Sequence, residues 1–84
     1  MRLDKWLWQA RFFKTRSLAA RYVETFRCRV DGRVTDKPHA AVVPGMVLTF
    51  ALGPRVRVIR IRALGERRGP ASEARGLYDE IEAG

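Results

Sequence analysis

The chain holds one cysteine and one histidine. A lone Cys28 excludes an internal disulfide framework and a Cys-rich zinc site, and it suits a reducing compartment. A lone His39, next to Pro38 in a predicted loop, leaves little from which to build a Ser-His-Asp or Cys-His system and reads as an exposed loop residue. The glycines fall at turns and form neither a dinucleotide fingerprint nor a phosphate loop. No apolar run approaches the roughly 20 residues that a bilayer span requires, and Arg2, Asp4, Lys5 and Arg11 interrupt any signal-peptide core. At 84 residues there is room for one small domain, not for a catalytic domain with a deep pocket. These absences predict a cytoplasmic protein that is not an enzyme, carries no cofactor or metal, and has no membrane partner; a monomer is the expectation, though nothing in the sequence sets the oligomeric state.

Acidic side chains are also scarce. Seventeen Lys and Arg face nine Asp and Glu, for a formal net charge of +8. Residues 1–33 hold nine basic and three acidic side chains, residues 34–68 seven and two, and residues 69–84 one and four. The first two segments are basic and the tail is acidic, so the field has a direction, and a polyanion is the expected partner. Apolar residues make up 46% of the chain, enough for one compact core.

From Leu3 to Phe13 the apolar residues follow helical spacing: Leu3, Leu7 and Ala10 form one row, and Trp6, Ala10 and Phe13 an adjacent one. Lys14-Thr15-Arg16-Ser17 breaks the pattern, and Thr15 or Ser17 is positioned to cap a second helix, predicted from Arg16 to Glu24. Its buried row is Leu18, Ala19, Tyr22, Val23 and Phe26. After Phe26 the period becomes 2, and Asp31-Gly32 signals a hairpin. A three-residue loop pairing Val30 with Val34 keeps apolar groups together and is preferred to a two-residue turn pairing Val30 with Arg33. Strands follow over Val47 to Leu52 and Arg55 to Ala63, joined at Gly53-Pro54. The apolar phase slips at Val58-Ile59, which predicts a β-bulge that re-aims the arginines. Pro70 suits the first turn of a short C-terminal helix carrying Ala74, Leu77, Tyr78 and Ile81 at i, i+3, i+4 and i+7, which Gly76 weakens. The predicted class is α+β: residues 1–66 form the main domain, and 67–84 a basic loop with a short C-terminal helix docked on it.

The positive signal for function is a cluster of cations, Arg2, Lys5, Arg11, Lys14, Arg16 and Arg21, at the start of one helix, the inter-helix corner and the outer face of the next. Thr15 and Ser17 add hydroxyls, and Arg in particular presents a planar fork to phosphate. Asp4 has no carboxylate neighbour at useful spacing and reads as an acid favouring the helix dipole. Trp6 and Phe13 read as core. Trp8 and Phe12 fall nearer the polar side, where stacking on an unpaired base and packing against the final helix are both open. A helix corner beside a small sheet suits RNA better than DNA, because Ala19, Ala20 and Arg21 offer little base-reading vocabulary. Weaker DNA binding stays open.

Arg2-Leu3-Asp4-Lys5-Trp6-Leu7-Trp8 and Arg11-Phe12-Phe13-Lys14-Thr15-Arg16-Ser17-Leu18-Ala19 resemble the opening of the S-four-type RNA-binding domain, with Val30-Asp31-Gly32 matching its hairpin. Arg67-Arg68-Gly69-Pro70-Ala71-Ser72-Glu73-Ala74 followed by Leu77-Tyr78 resembles one branch of that family, heat shock protein 15. The resemblance implies an αL fold, two short packed helices against a small, mostly antiparallel sheet. It also implies RNA contacts at Arg2, Lys5, Arg11, Lys14, Thr15, Arg16, Ser17 and Arg21, joined by Arg33 and Lys37. For the branch it implies docking on ribosomal RNA, on large ribosomal subunits that hold nascent-chain tRNA, in stress-linked rescue. Two departures stand out. Thr25-Phe26 occupies the helix-to-strand junction where the family usually has Gly, and the family usually continues into a basic C-terminal extension where this sequence stops at Gly84 with an acidic tail, the extension being either lost or truncated. The alternatives are the RNA-binding module of an RNA-modifying or tRNA-charging enzyme, and a DNA-binding or protein-interaction module.

Overall fold

The computed structural model describes residues 1–81. Two helices, α1 (Leu3–Gln9) and α2 (Arg16–Phe26), precede a hairpin of β1 (Cys28–Val30) and β2 (Arg33–Thr35). A second hairpin, β3 (Val47–Leu52) and β4 (Arg55–Ile61), leads to one α-helical turn, α3 (Ala71–Ala74), a 3-10 turn (Arg75–Leu77) and β5 (Tyr78–Glu80). The five strands form one sheet in the order β2-β1-β3-β4-β5, with every neighbouring pair antiparallel. Helices and sheet share one core: Leu3, Trp6, Leu7 and Ala10 of the α1 region and Ala19 and Val23 of α2 meet Cys28, Val42, Leu48, Phe50, Ile59 and Ile61. Fully buried Trp6 donates its indole N–H to the Ala63 carbonyl at 2.9 Å, so its polar edge is satisfied inside.

α1 is shorter than its apolar spacing predicts. Arg11 adopts φ 65°, and the Phe12 and Arg11 N–H groups return to the carbonyls of Leu7 and Trp8 at 3.1 Å each. This is a Schellman ending with arginine in the left-handed position. It swings Phe12 out of the helix and into an aromatic cluster with Trp6, Phe50 and Tyr78. At the other end, first-turn N–H groups are met by the loop that follows β2. Leu3 donates to the Ala40 carbonyl at 2.8 Å and Asp4 to the Pro38 carbonyl at 3.0 Å. α2 is capped by Thr15, whose hydroxyl accepts from the Leu18 N–H at 3.1 Å, as its position predicts. The helix runs two residues beyond Glu24, and of its predicted buried row Leu18 and Phe26 are exposed, Phe26 to 70%.

Three further expectations are corrected. The hairpin closes with a two-residue turn, Val30 opposite Arg33. Asp31 and Gly32 take φ 49° and 84°, as in the primed turns whose twist matches that of paired strands. Exposed Val34 shows that backbone twist outweighed apolar pairing. There is no bulge in β4, whose register runs unbroken from Val47 opposite Arg60 to Leu52 opposite Arg55. Arg57 therefore faces the same side as Ile59 and Ile61. It is accommodated at the sheet's end by the Phe12 ring, 5.3 Å from its guanidinium carbon, and by the Glu80 carboxylate. Finally, the helical pattern at the C-terminus stops at Leu77. Tyr78, Asp79 and Glu80 pair with Ile61, Arg60 and Ile59 instead, because an open β4 edge offers backbone partners that a helix weakened by Gly76 cannot match.

Candidate nucleic-acid interface

The amino-terminal cations are organised around Asp4, whose side chain is 4% exposed. Arg2 donates to it through two nitrogens, Nε to Oδ1 and Nη2 to Oδ2, each at 3.1 Å. Arg16, from the first turn of α2, brings Nη2 to 3.6 Å of Oδ1. The Lys5 N–H donates to the same carboxylate oxygen at 2.7 Å. Arg2, Asp4, Arg16, Ser17 and Ala20 together line a shallow open groove between the start of α1 and the start of α2.

Lys14 and Thr15 lead directly into that groove, and Arg21 lies one helical turn beyond Ser17 on the same face of α2. Lys37 precedes Pro38, whose carbonyl caps α1, so the 37–40 loop is tied to the start of the helix. Thr15 spends its oxygen on the cap. Arg11 has a different neighbourhood. Its Nε donates to the Gly69 carbonyl at 2.7 Å, and it borders a cleft with Phe12, Arg57, Ala74, Arg75 and Tyr78. Arg33 sits at the hairpin end of β2, the outermost strand.

The carboxyl-terminal half uses part of its charge internally. Arg57 pairs with Glu80, Arg62 with Asp79 at 3.6 Å and Arg67 with Glu73 at 3.0 Å. The Arg57 hydrogen bonds hold the Glu80 carboxyl below its ordinary pKa, and the same contact raises that of Arg57. Arg68 donates to the carbonyls of Trp8 and Phe13 and lies 5.7 Å over the Trp8 ring. Of the two roles open to Trp8 and Phe12, both rings are engaged by the carboxyl-terminal segment, Trp8 through Arg68 and Phe12 through Tyr78. Among the described residues, Lys5, Lys14, Arg21 and Lys37 have no carboxylate within ion-pair distance, and neither have Arg55, Arg60 and Arg75 of the second half. Burial pushes the Cys28 thiol up to about 12, so it is an inert core group rather than a nucleophile. No group of His, Cys, Asp and Glu able to hold a metal occurs among the described residues. None of their helices is long and apolar enough to cross a membrane.

This fold, two short helices above an antiparallel sheet, is shared with known proteins. Residues 1–48 match the S4 domain. The chain belongs to the S4 domain family. It is an RNA-binding family rather than a catalytic one, and the αL architecture implied by the opening residues is the one observed. The chain is similar to heat shock protein 15 of Escherichia coli strain K12, with 44% identity over 95% of this chain. It spans 59% of that relative's length. It is also similar to the RQC P-site tRNA stabilizing factor of Listeria monocytogenes, with 36% identity over 96% of this chain and 86% of the factor. The structure of Vibrio cholerae heat shock protein 15, described as trimeric, superposes with a TM-score of 0.90 at 42% identity, covering 96% of this chain and 81% of that one.

The residue that sequence reasoning undervalued is Asp4. Its separation of two positions from Arg2 is no helical contact, and Arg16 reaches it only once α1 and α2 pack.

Proposed function

We propose that this protein is a non-enzymatic RNA-binding factor that docks on structured ribosomal RNA of the large subunit and acts where a subunit retains tRNA joined to a nascent chain. Arg2, Lys5, Lys14, Arg16, Arg21 and Lys37 supply the phosphate contacts, with the Ser17 hydroxyl beside them. Arg11 and Arg33 extend the contact only if the RNA reaches beyond the corner. One observation carries the reading: Arg2 and Arg16 meet over a single, buried carboxylate at the α1–α2 corner, with Lys5, Lys14, Arg21 and Lys37 unpaired on the adjoining segments, whereas Arg57, Arg62 and Arg67 of the second half are paired with acids. A polyanion docking there meets several unpaired cations and a pre-paired Arg2 and Arg16. The similarity to a factor named for P-site tRNA and to heat shock protein 15 supports the ribosomal and rescue parts of the proposal. Structured RNA is favoured over duplex DNA because the corner offers phosphate-binding groups and few base-reading ones.

Co-sedimentation with purified ribosomal subunits tests this. The wild-type protein travels with the large subunit, at one copy per subunit, and Lys14→Glu/Arg16→Glu abolishes this with an unchanged circular dichroism spectrum. Equal sedimentation of the folded double variant refutes the proposed site.

A further inference from the structure

Resting on that docking reading, we infer that Asp4 is the positioning residue of the corner: it holds Arg2 and Arg16 as a pre-oriented pair that receives one phosphodiester group of the RNA backbone. A carboxylate on a polyanion-binding face is an electrostatic liability, and burying one is costly unless every oxygen is partnered. Asp4 is nevertheless the one buried carboxylate among the described residues, at 3% exposure. Both its oxygens are engaged. The Lys5 N–H roots Oδ1 in the helix frame, the Arg2 fork takes Oδ1 and Oδ2, and Arg16 approaches Oδ1 from the second helix.

The exposures show what a ligand meets. The side chains of Arg2 and Arg16 are 53% and 42% exposed, while that of Asp4 is 4% exposed. The anion lies hidden beneath and the cations stand above it. The bidentate contact uses Nε and one N–H of Nη2, so Nη1 of Arg2 keeps its donors for phosphate, as do the remaining donors of Arg16. The two arginines come from different elements, repel one another, and are long enough to sample many rotamers when unanchored. Pinning both to one carboxylate removes that freedom before RNA arrives, which is how pre-organisation raises affinity. Small Ser17 and Ala20 complete the groove and leave it open.

The sign of one measurement separates positioning from simple Coulomb attraction. Asp4→Asn adds one unit of positive charge, and so does Glu24→Gln at an exposed position elsewhere on α2. With a fluorescein-labelled RNA hairpin as probe, fluorescence anisotropy across a salt series is expected to show Asp4→Asn binding about 5- to 20-fold more weakly, with a salt slope shallower by about 1. Glu24→Gln is expected to bind as well as wild type or up to about twofold more tightly. Asp4→Asn binding as tightly as Glu24→Gln overturns the inference. If Arg16→Glu abolishes binding in that same experiment, the docking reading stands without it; if Arg16→Glu binds like wild type, both fall. A thermal melt establishes whether Asp4→Asn is folded. Should it not fold, the wild type still decides through its arginine Nε–H resonances in nitrogen–proton spectra. Those of Arg2 and Arg16 are expected to shift on adding the hairpin, and their standing still while the Lys14 and Ser17 amides move overturns the inference.

Discussion

The salt dependence of RNA binding follows from how the cations are distributed. Of the candidate contacts, Arg11 donates to Gly69 and Arg33 lies on the outermost strand. This leaves Arg2, Lys5, Lys14, Arg16, Arg21 and Lys37 around the corner, with Asp4 offsetting one charge. Five to six phosphate contacts give a slope of log K against log salt of about −4.5 to −5.4, at roughly −0.9 per contact on a duplex. Between 50 and 200 mM salt, affinity then falls about 500- to 2,000-fold. Anisotropy titrations with a labelled RNA hairpin at several KCl concentrations measure the slope directly. Lys14→Ala should make it shallower by about 1, since each phosphate-binding cation counts once. Arg75→Ala, on the 3-10 turn beside α3, should leave it unchanged. A slope nearer zero than −2, or an equal response to the two variants, refutes an electrostatic corner.

Two other outcomes test the fold. Arg27 ends α2 at φ 67° and ψ 157°, a region that only glycine occupies without strain, and its side chain makes no hydrogen bond or ion pair among the described residues. Replacing it with glycine should therefore stabilise the protein by about 1 kcal/mol, read as a urea midpoint raised by roughly 1 M. A lower midpoint refutes the strain assignment. Glu80 has a depressed pKa owing first to its hydrogen bonds with Arg57, so its contribution is present above the ordinary glutamate pKa and lost as pH falls through the folded value. Glu80→Gln should cost up to about 1 kcal/mol near pH 7, because the pair is partly solvated. The difference between variant and wild type should shrink below about pH 4 and vanish in stronger acid; a gap independent of pH contradicts the assignment.

Much of the architecture is legible in local chemistry. The 3.6-residue apolar spacing over Leu3 to Ala10, the Thr15 cap and the period-2 runs at Val47 to Leu52 are all carried by neighbours within one element. So is the choice of Asp31-Gly32 as a turn, and with it the α+β class and the basic amino-terminal corner. What escaped depends on partners distant in the chain. The spacing of Ala74, Leu77, Tyr78 and Ile81 reads as helix locally, and the free edge of β4 overrode it beyond Leu77. Arg57 faces inward because an unbroken register puts it there and Phe12 and Glu80 accept it. Arg11 and Arg68 are drawn to backbone carbonyls of remote segments. Asp4 became the anchor of Arg2 and Arg16 only when two helices packed.

Charge identity and local period are properties of the chain and need no coordinates. The direction in which a long guanidinium points is set by whichever carboxylate, carbonyl or ring the tertiary fold brings within reach. The sequence by itself determined that this protein would be a small, basic α+β domain with its excess of cations in the first 68 residues and an acidic tail. Only the tertiary structure decided which of those cations stand free for a polyanion and which are held in the framework, since that follows from contacts between residues far apart in the chain.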